Sequence, residues 1–251
     1  YYFGSYVSKN TFLHNNNKTV MTFGKSREDK LINNNPSAKI IKIGPYIHYA
    51  KSILKTSEVH LQKKKYGKSM LVFIDHSTKD LQLYHNDEKL IKQIKNLVNS
   101  HNIKTVLICL YWKDIKMGIH KNYEKAGFKI VCSGYRDDIF FLARLRSLIE
   151  ISDLTASNSV GTHVPYCLTL EKPHILIDDS KIGNVKDIYT KGEGISDQVY
   201  YNRLSEIEEV ENILRQSHDP IELKSNKILN SYFGFSEIKS PSELSDLINN
   251  I

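Results

Sequence analysis

Apolar residues fall along this chain in short continuous runs separated by longer stretches of helical period. Met70 to Asp75 (MLVFID), Thr105 to Tyr111 (TVLICLY), Phe128 to Cys132, Leu154 to Ser157 and His174 to Ile177 read as strands. Between them, Asn86 to Ser100 carries Leu90, Ile91, Ile94, Leu97 and Val98 on one helical face. A shorter helix from Gly118 to Ala126 stops at Gly127, a C-cap signal. Ile139 to Ile149 turns Phe141, Leu142, Leu145, Leu148 and Ile149 to one side, and Thr162 to Leu170 forms a fourth helix. Strands that are apolar along their whole length and alternate with helices predict an α/β fold: a Rossmann-like parallel sheet with helices on both faces. Ligands of such sheets bind at the carboxyl ends of the strands.

The flanks read differently. Thr19 to Phe23 and Lys39 to Ile43 are β-like runs, with a short helix over Ser26 to Asn35 between them. Two strands cannot bury a sizeable core alone. Residues 1–57 are therefore expected to be a remnant of a preceding α/β domain, and residues 58–251 the Rossmann-like domain with its terminal helices. Ala50 to Lys68 reads as a linker. In the tail, Ser205 to Gln216 is an acidic amphipathic helix, Asn226 leads to Phe235, and Pro241 opens a final helix with Glu243 near its start.

Composition narrows the class. The chain has 251 residues, 40% hydrophobic and 25% charged, which predicts a soluble globular protein. No apolar run approaches the roughly 20 residues of a membrane span. It begins Tyr1-Tyr2-Phe3, without an initiator Met or a signal-peptide pattern, and reads as a fragment or a chain whose start is missing. Three cysteines (Cys109, Cys132, Cys167) without metal-ligand spacing predict reduced thiols and a cytoplasmic protein. Net charge is +7, part of it in Lys63-Lys64-Lys65, which reads as a solvated turn or as a face that approaches an anionic membrane. No nucleic-acid partner is expected, because the aromatics do not interleave with basic residues.

Candidate chemistry sits in the loops after the strands. The first carries His76-Ser77-Thr78, whose hydroxyls and amides fit a phosphate or an ordinary turn. The second carries Trp112, the only tryptophan, placed to cover a cleft or pack at a sheet edge. The third is Ser133-Gly134-Tyr135-Arg136-Asp137-Asp138. Gly134 permits close backbone approach, Tyr135 fits a nucleobase, and Arg136 fits a phosphate; equally, Asp137 caps the next helix and pairs Arg136. The fourth, Ser157-Asn158-Ser159-Val160-Gly161-Thr162-His163, places short polar groups and a glycine between a strand and a helix, as an anion-binding turn does. Its alternative is a simple helix cap by Ser159 or Thr162. The fifth, Asp178-Asp179-Ser180, reads as a solvated turn, with no third ligand for a metal.

The run from Arg146 to His163 (RSLIEISDLTASNSVGTH), followed by a helix and Glu171-Lys172-Pro173-His174-Ile175, resembles the C-terminal half of GT-B glycosyltransferases. The likeness is to bacterial enzymes of capsule and O-antigen (lipopolysaccharide) assembly, and Asn230 to Leu244 (NSYFGFSEIKSPSEL) resembles the ending of such proteins. It covers roughly Lys68 to Ile251, with Ile40 to Tyr49 similar to the exit from an N-terminal domain. The resemblance implies a nucleotide-sugar donor held by Ser159, Gly161, Thr162 and Ser77, with base and ribose near Gly134 and Tyr135. His76, Asn158 and His163 complete the expected donor set. Arg136 or His163 would stabilise the departing nucleotide with no metal or other cofactor. The acceptor would be a growing polysaccharide or lipid-linked saccharide, and the catalytic base is not identifiable. Two departures stand out: the family's usual glycine before the small-x-Pro turn is Glu171 here, and most of the acceptor domain is missing. The rival readings are a UDP-N-acetylglucosamine 2-epimerase-like enzyme and a non-catalytic nucleotide-sugar-binding module.

Overall fold

The apolar runs do pair as strands. The structure, a computed structural model, describes residues 19–75, 84–85, 87–177, 181–182 and 197–249. Its centre is a five-stranded sheet made of β3 (Ser69–Phe73), β5 (Thr105–Cys109), β6 (Lys129–Val131), β7 (Leu154–Ser157) and β8 (His174–Leu176). The order is β6-β5-β3-β7-β8 and every pairing is parallel. Counting only these five strands along the chain, that is 3-2-1-4-5, so the winding reverses between β3 and β7. Outside it, β1 (Thr19–Thr22) pairs in parallel with β2 (Lys39–Lys42), and β4 (Tyr84–His85) pairs antiparallel with β9 (Lys181–Ile182).

Alternate strand residues feed two cores, as the period of two requires. Met70, Val72, Ile74, Val106 and Ile108 pack under α3 (Asp87–Ser100) and α5 (His120–Lys125), against Leu90, Ile94 and Tyr123. Leu71, Phe73 and Leu107 face α6 (Phe141–Glu150) and α7 (His163–Thr169), against Leu145, Ile149, Tyr166 and Cys167. The apolar stripes read from the sequence for α3 and α6 are the ones these cores use. A third core joins Val164 and Leu168 of α7 to Val210, Leu214, Leu229 and Phe233 of the terminal helices.

One expectation is corrected. The stretch read as a linker contains α2 (Thr56–Tyr66). Its apolar stripe is thin, and only Val59 and Tyr66 lean on the sheet. Its ends supply the missing signals. The Glu58 carboxylate accepts from Lys55 N–H at 2.7 Å, and Gly67, at φ +62°, stops the helix. Lys63 reaches Asp153 at 3.0 Å, which also accepts from Ser69 N–H at the head of β3. The boundary expected after residue 57 falls in the first turn of this helix.

The N-terminal elements are bound to the tail of the chain. Lys42 bridges Glu28 and Glu237, both at 3.2 Å, and Lys30 meets Glu206 at 2.8 Å. The Tyr49 hydroxyl donates to Ile43 O and accepts from Lys239 N–H. At the crossing, Gly24, Gly44 and Gly234 touch backbone to backbone.

Helix α7 closes with Glu171 N–H on Leu168 O and Lys172 N–H on Cys167 O. This double bond pattern needs a left-handed residue, and Glu171 occupies it at φ +56°. Glu171, which stands where the resemblance expects a glycine, thus takes a left-handed conformation that favours glycine. A left-handed non-glycine residue costs about 1 kcal/mol or more, while the exposed Glu171–Lys224 pair contributes little. Glu171→Gly is therefore expected to raise the melting temperature by about 1–4 °C; a fall in calorimetry would contradict this.

Candidate functional site

Where the strand order reverses, two parallel strands send their following loops to opposite sides and leave a crevice at their carboxyl ends. Here the reversal, and with it the place such a crevice takes, lies between β3 and β7. Asn158 spans it: its side-chain oxygen accepts from Asp75 N–H at 2.8 Å, and the residue is buried. Ile177 N–H on Ser157 O, at 2.7 Å, ties the same loop to the exit of β8. The beginning of the β7–α7 loop is thereby fixed from both sides. Ser159, Gly161, Thr162 and His163 follow it, each half-buried at the mouth of the crevice.

His163 opens α7, with Thr162 preceding it in helical conformation and making no side-chain cap. Its ring stacks on Phe73, centroids 4.9 Å apart and planes 18° apart. Its Nε2 lies 3.1 Å from Ser159 O, so that nitrogen carries the proton of the bond. A Cβ at Gly161 would sit 3.1 Å from His163 Nδ1, so the glycine keeps room beside this nitrogen.

Beneath the loop lies a buried imidazole that the sequence reading treated as strand. His174 is fully buried, its Nδ1 2.9 Å from Thr155 Oγ1 and its Nε2 3.0 Å from Ser157 Oγ. Ser157 in turn donates to Ser159 O at 2.7 Å, the carbonyl that also receives His163. Thr155 and Ser157 are a polar pair at i, i+2 in an otherwise apolar strand. That spacing puts both hydroxyls on one face and signals a polar partner on the neighbouring strand.

Burial, and after it the charges of His163 and His218, hold His174 well below the ordinary histidine range. An imidazole that stays neutral in the fold but protonates when unfolded makes stability fall as pH drops below about 6.5. One such proton gives a slope of up to about 1.4 kcal/mol per pH unit. His48, lowered by burial and by Arg146, acts in the same direction. His174→Gln should remove the His174 share. Urea midpoints at pH 7.5 and pH 5.5 should then differ less in the variant than in the wild type; equal differences would contradict the assignment.

The β6 loop forms the other side of the carboxyl edge. Gly134 stands at φ +84°, and a Cβ there would meet the Arg144 guanidinium at 2.7 Å. Arg144, which the sequence reading passed over as a helix residue, donates to Ser133 O at 2.7 Å and pairs with Asp138 at 2.9 Å. Asp138 also accepts from Phe140 N–H at 2.8 Å, so the turn into α6 is held by Asp138 and not by Asp137, as expected earlier. Asp138 is held below the usual carboxylate range by the Phe140 N–H and then by Arg144. Arg136 pairs with Asp137 at 3.6 Å on the surface. Tyr135 is half exposed, its ring edge-on to Trp112 at 6.1 Å; Trp112, at the start of α4 (Trp112–Lys116), leans on Tyr111 at 5.6 Å.

The expected donor residues thus form two groups on one edge of the sheet. Asn158, Ser159, Gly161, Thr162 and His163 gather at the crevice, and Gly134, Tyr135 and Arg136 stand three strands away. At the usual strand spacing that is about 14 Å. His76 and Ser77 lie outside the described residues, as does the Asp178-Asp179-Ser180 turn.

No protein-family model matches the sequence, and no curated protein matches it. Among solved structures the chain is similar to UDP-GlcNAc 2-epimerase from Neisseria meningitidis bound to UDP-GlcNAc. That likeness has 12% identity and a TM-score of 0.42 over 90% of this chain and 59% of the other. It is similar to S. aureus MnaA in a UDP co-structure, with 13% identity and a TM-score of 0.43 over 99% and 66%. It is also similar to the pneumococcal O-GlcNAc transferase GtfA in complex with UDP and GlcNAc, with 12% identity and a TM-score of 0.39 over 93% and 45%. The chain spans about half to two thirds of the length of these proteins. Its architecture stands on the strand order, and its chemistry on the side chains present.

Proposed function

We propose that this chain is the donor-binding part of a GT-B-type glycosyltransferase that uses a nucleotide-sugar. The observation that carries the reading is the reversal of strand order between β3 and β7, bridged by Asn158 and opening onto the Ser159–His163 loop. In this reading the diphosphate lies against Ser159, Gly161 and Thr162, with His76 and Ser77 as further donors. The base reaches Tyr135 and the backbone at Gly134, a distance that a nucleoside diphosphate spans. As the glycosidic bond breaks, negative charge gathers on the leaving nucleotide, and His163 meets it without a metal, while Arg136, three strands away, is left to the nucleoside end. A base from outside the described residues takes the acceptor proton.

The acceptor we assign is a saccharide of a bacterial surface polysaccharide, growing or lipid-linked, which places the work at the inner face of a membrane. No helix among the described residues is long and apolar enough to cross one. Peripheral contact is supported by the exposed face of α2. It presents Lys64 and Lys65 together with Leu61, which is 65% exposed, and Ile53 stands 52% exposed just before it. Each lysine near an anionic surface is worth about 1 kcal/mol. Lys64→Glu/Lys65→Glu should weaken binding to phosphatidylserine vesicles by about tenfold or more; unchanged sedimentation with vesicles would remove the membrane contact.

The functional test is a thermal-shift screen of UDP, GDP and CMP and their sugars. A ligand at a hundredfold excess over Kd stabilises by about 2.7 kcal/mol. One nucleotide series should shift the transition and saturate; no shift with any would defeat the reading. Product analysis then separates transfer to an acceptor from epimerisation of the sugar.

A further inference from the structure

The buried ladder under the β7–α7 loop has a proton count that does not close in a single way. A neutral imidazole has one N–H and one lone pair. His174 has a hydroxyl on each side, Thr155 at 2.9 Å and Ser157 at 3.0 Å. Each hydroxyl also has a carbonyl to donate to, Pro173 O at 2.9 Å and Ser159 O at 2.7 Å. Hence one hydroxyl must turn its proton to the ring while the other keeps its carbonyl. If Thr155 turns, Ser157 stays on Ser159 O, and that carbonyl receives two donors, Ser157 and His163. If Ser157 turns, His163 alone serves Ser159 O. Pro173 O already accepts Thr155 N–H, so losing the Thr155 hydroxyl leaves it satisfied. Both arrangements leave every carbonyl served; the shorter hydroxyl–carbonyl contact, 2.7 Å for Ser157 on Ser159 O against 2.9 Å for Thr155 on Pro173 O, selects the first, with His174 donating from Nε2 to Ser157.

We infer that His174 is a positioning residue for the loop: through Ser157 it holds the Ser159 carbonyl, and that carbonyl holds His163 over Phe73 with its proton on Nε2 and Nδ1 turned toward Gly161. The chain of contacts is continuous, each link being 3.1 Å or less. His174 itself is fully buried beneath the loop. Its effect on binding is exerted only through the loop above it.

The test uses three variants of the full chain: Ser157→Ala, which cuts the link; His174→Leu, which removes its source; and His174→Gln, which offers a side-chain amide in place of the ring. The readout that needs no ligand is the tautomer of His163 from long-range nitrogen–proton NMR. Wild type should show the Nε2–H form, Ser157→Ala and His174→Leu a mixture of both forms, and His174→Gln a return toward wild type. An unchanged His163 tautomer in folded Ser157→Ala overturns the inference. If His174→Leu does not fold, Ser157→Ala and His174→Gln decide alone. The second readout rests on the nucleotide reading above: affinity should fall about tenfold in Ser157→Ala, the effect of one hydrogen bond. The Ser157→Ala/His174→Leu double variant should lose no more, because both residues act through one path. Additive losses overturn the inference. Absence of nucleotide binding by the wild type defeats the proposed function and leaves the tautomer test standing.

Discussion

Gly161→Val is expected to weaken the proposed nucleotide binding by at least about a hundredfold and to leave the melting transition within a few degrees of wild type. Gly161 sits half-buried after Asn158, where in the proposed donor site the ligand comes close to the main chain. Among the described residues, a Cβ there meets the His163 ring, at 3.0 and 3.1 Å. The ring can yield, so the fold survives. Valine nevertheless fills the space next to Nδ1 and drives His163 off its stack on Phe73. A diphosphate then loses its approach to the main-chain N–H groups of the loop. Charge-assisted hydrogen bonds are worth about 1.5–3 kcal/mol each, so losing two weakens binding by at least about a hundredfold. Calorimetric titration beside differential scanning measures both halves of this result. Retained affinity would place the ligand elsewhere, and loss of folding would show that the glycine serves the architecture.

Gly234→Ala is expected to have the opposite character: it destabilises the fold without touching the crevice. Gly234 ends the Lys227–Phe233 helix at φ +68°. Its missing Cβ leaves room for the Phe23 carbonyl and Gly24, and the Gly234 carbonyl in turn stands 2.7 Å from where a Cβ on Gly44 would be. Because the neighbours are backbone atoms, no side chain can rotate away to accommodate a methyl group. The left-handed conformation costs about 1–2 kcal/mol for alanine, and overpacking adds about 1–3 kcal/mol. A total of about 2–5 kcal/mol lowers the melting temperature by roughly 5–15 °C in a chain of this size. A drop of less than about 2 °C would mean that the N-terminal strands and the tail are not clamped there.

These two glycines mark what the sequence made legible. Strands and helices of the sheet could be read because their signal is local: β3 and β5 are apolar after their first residue, and α3 and α6 repeat their apolar residues at helical spacing. The loops at the strand ends followed from that alternation. Helix α2 escaped because its stability comes from the Glu58 cap and Lys63–Asp153 more than from an apolar stripe. Gly234 escaped because its constraint is a contact with Phe23 and Gly24, some two hundred positions earlier, which no local pattern encodes. Asn158, expected as a ligand contact, also braces the two strands, its side-chain oxygen accepting from Asp75 N–H. Short polar residues suit a ligand and a backbone brace equally, and only the crossing of β3 and β7 distinguishes them. His174 hid inside the strand His-Ile-Leu, although Thr155 and Ser157 facing one way in β7 were a readable sign of a buried polar partner. Arg144 hid in the stripe of α6, its guanidinium made necessary by the carbonyl of Ser133 beside Gly134.

Site-resolved nitrogen–proton NMR of the full chain during titration with UDP, repeated with GDP and CMP, bears most directly on the crevice. One nucleotide should move the amide signals of Ser159, Gly161, Thr162 and His163 along saturable curves, with Asp75 following through Asn158 and Tyr135 responding at the far end. If none of these amides shifts while the nucleotide reaches millimolar concentration, or if the saturating shifts map only to residues away from the carboxyl edge of the sheet, the crevice is not a nucleotide site.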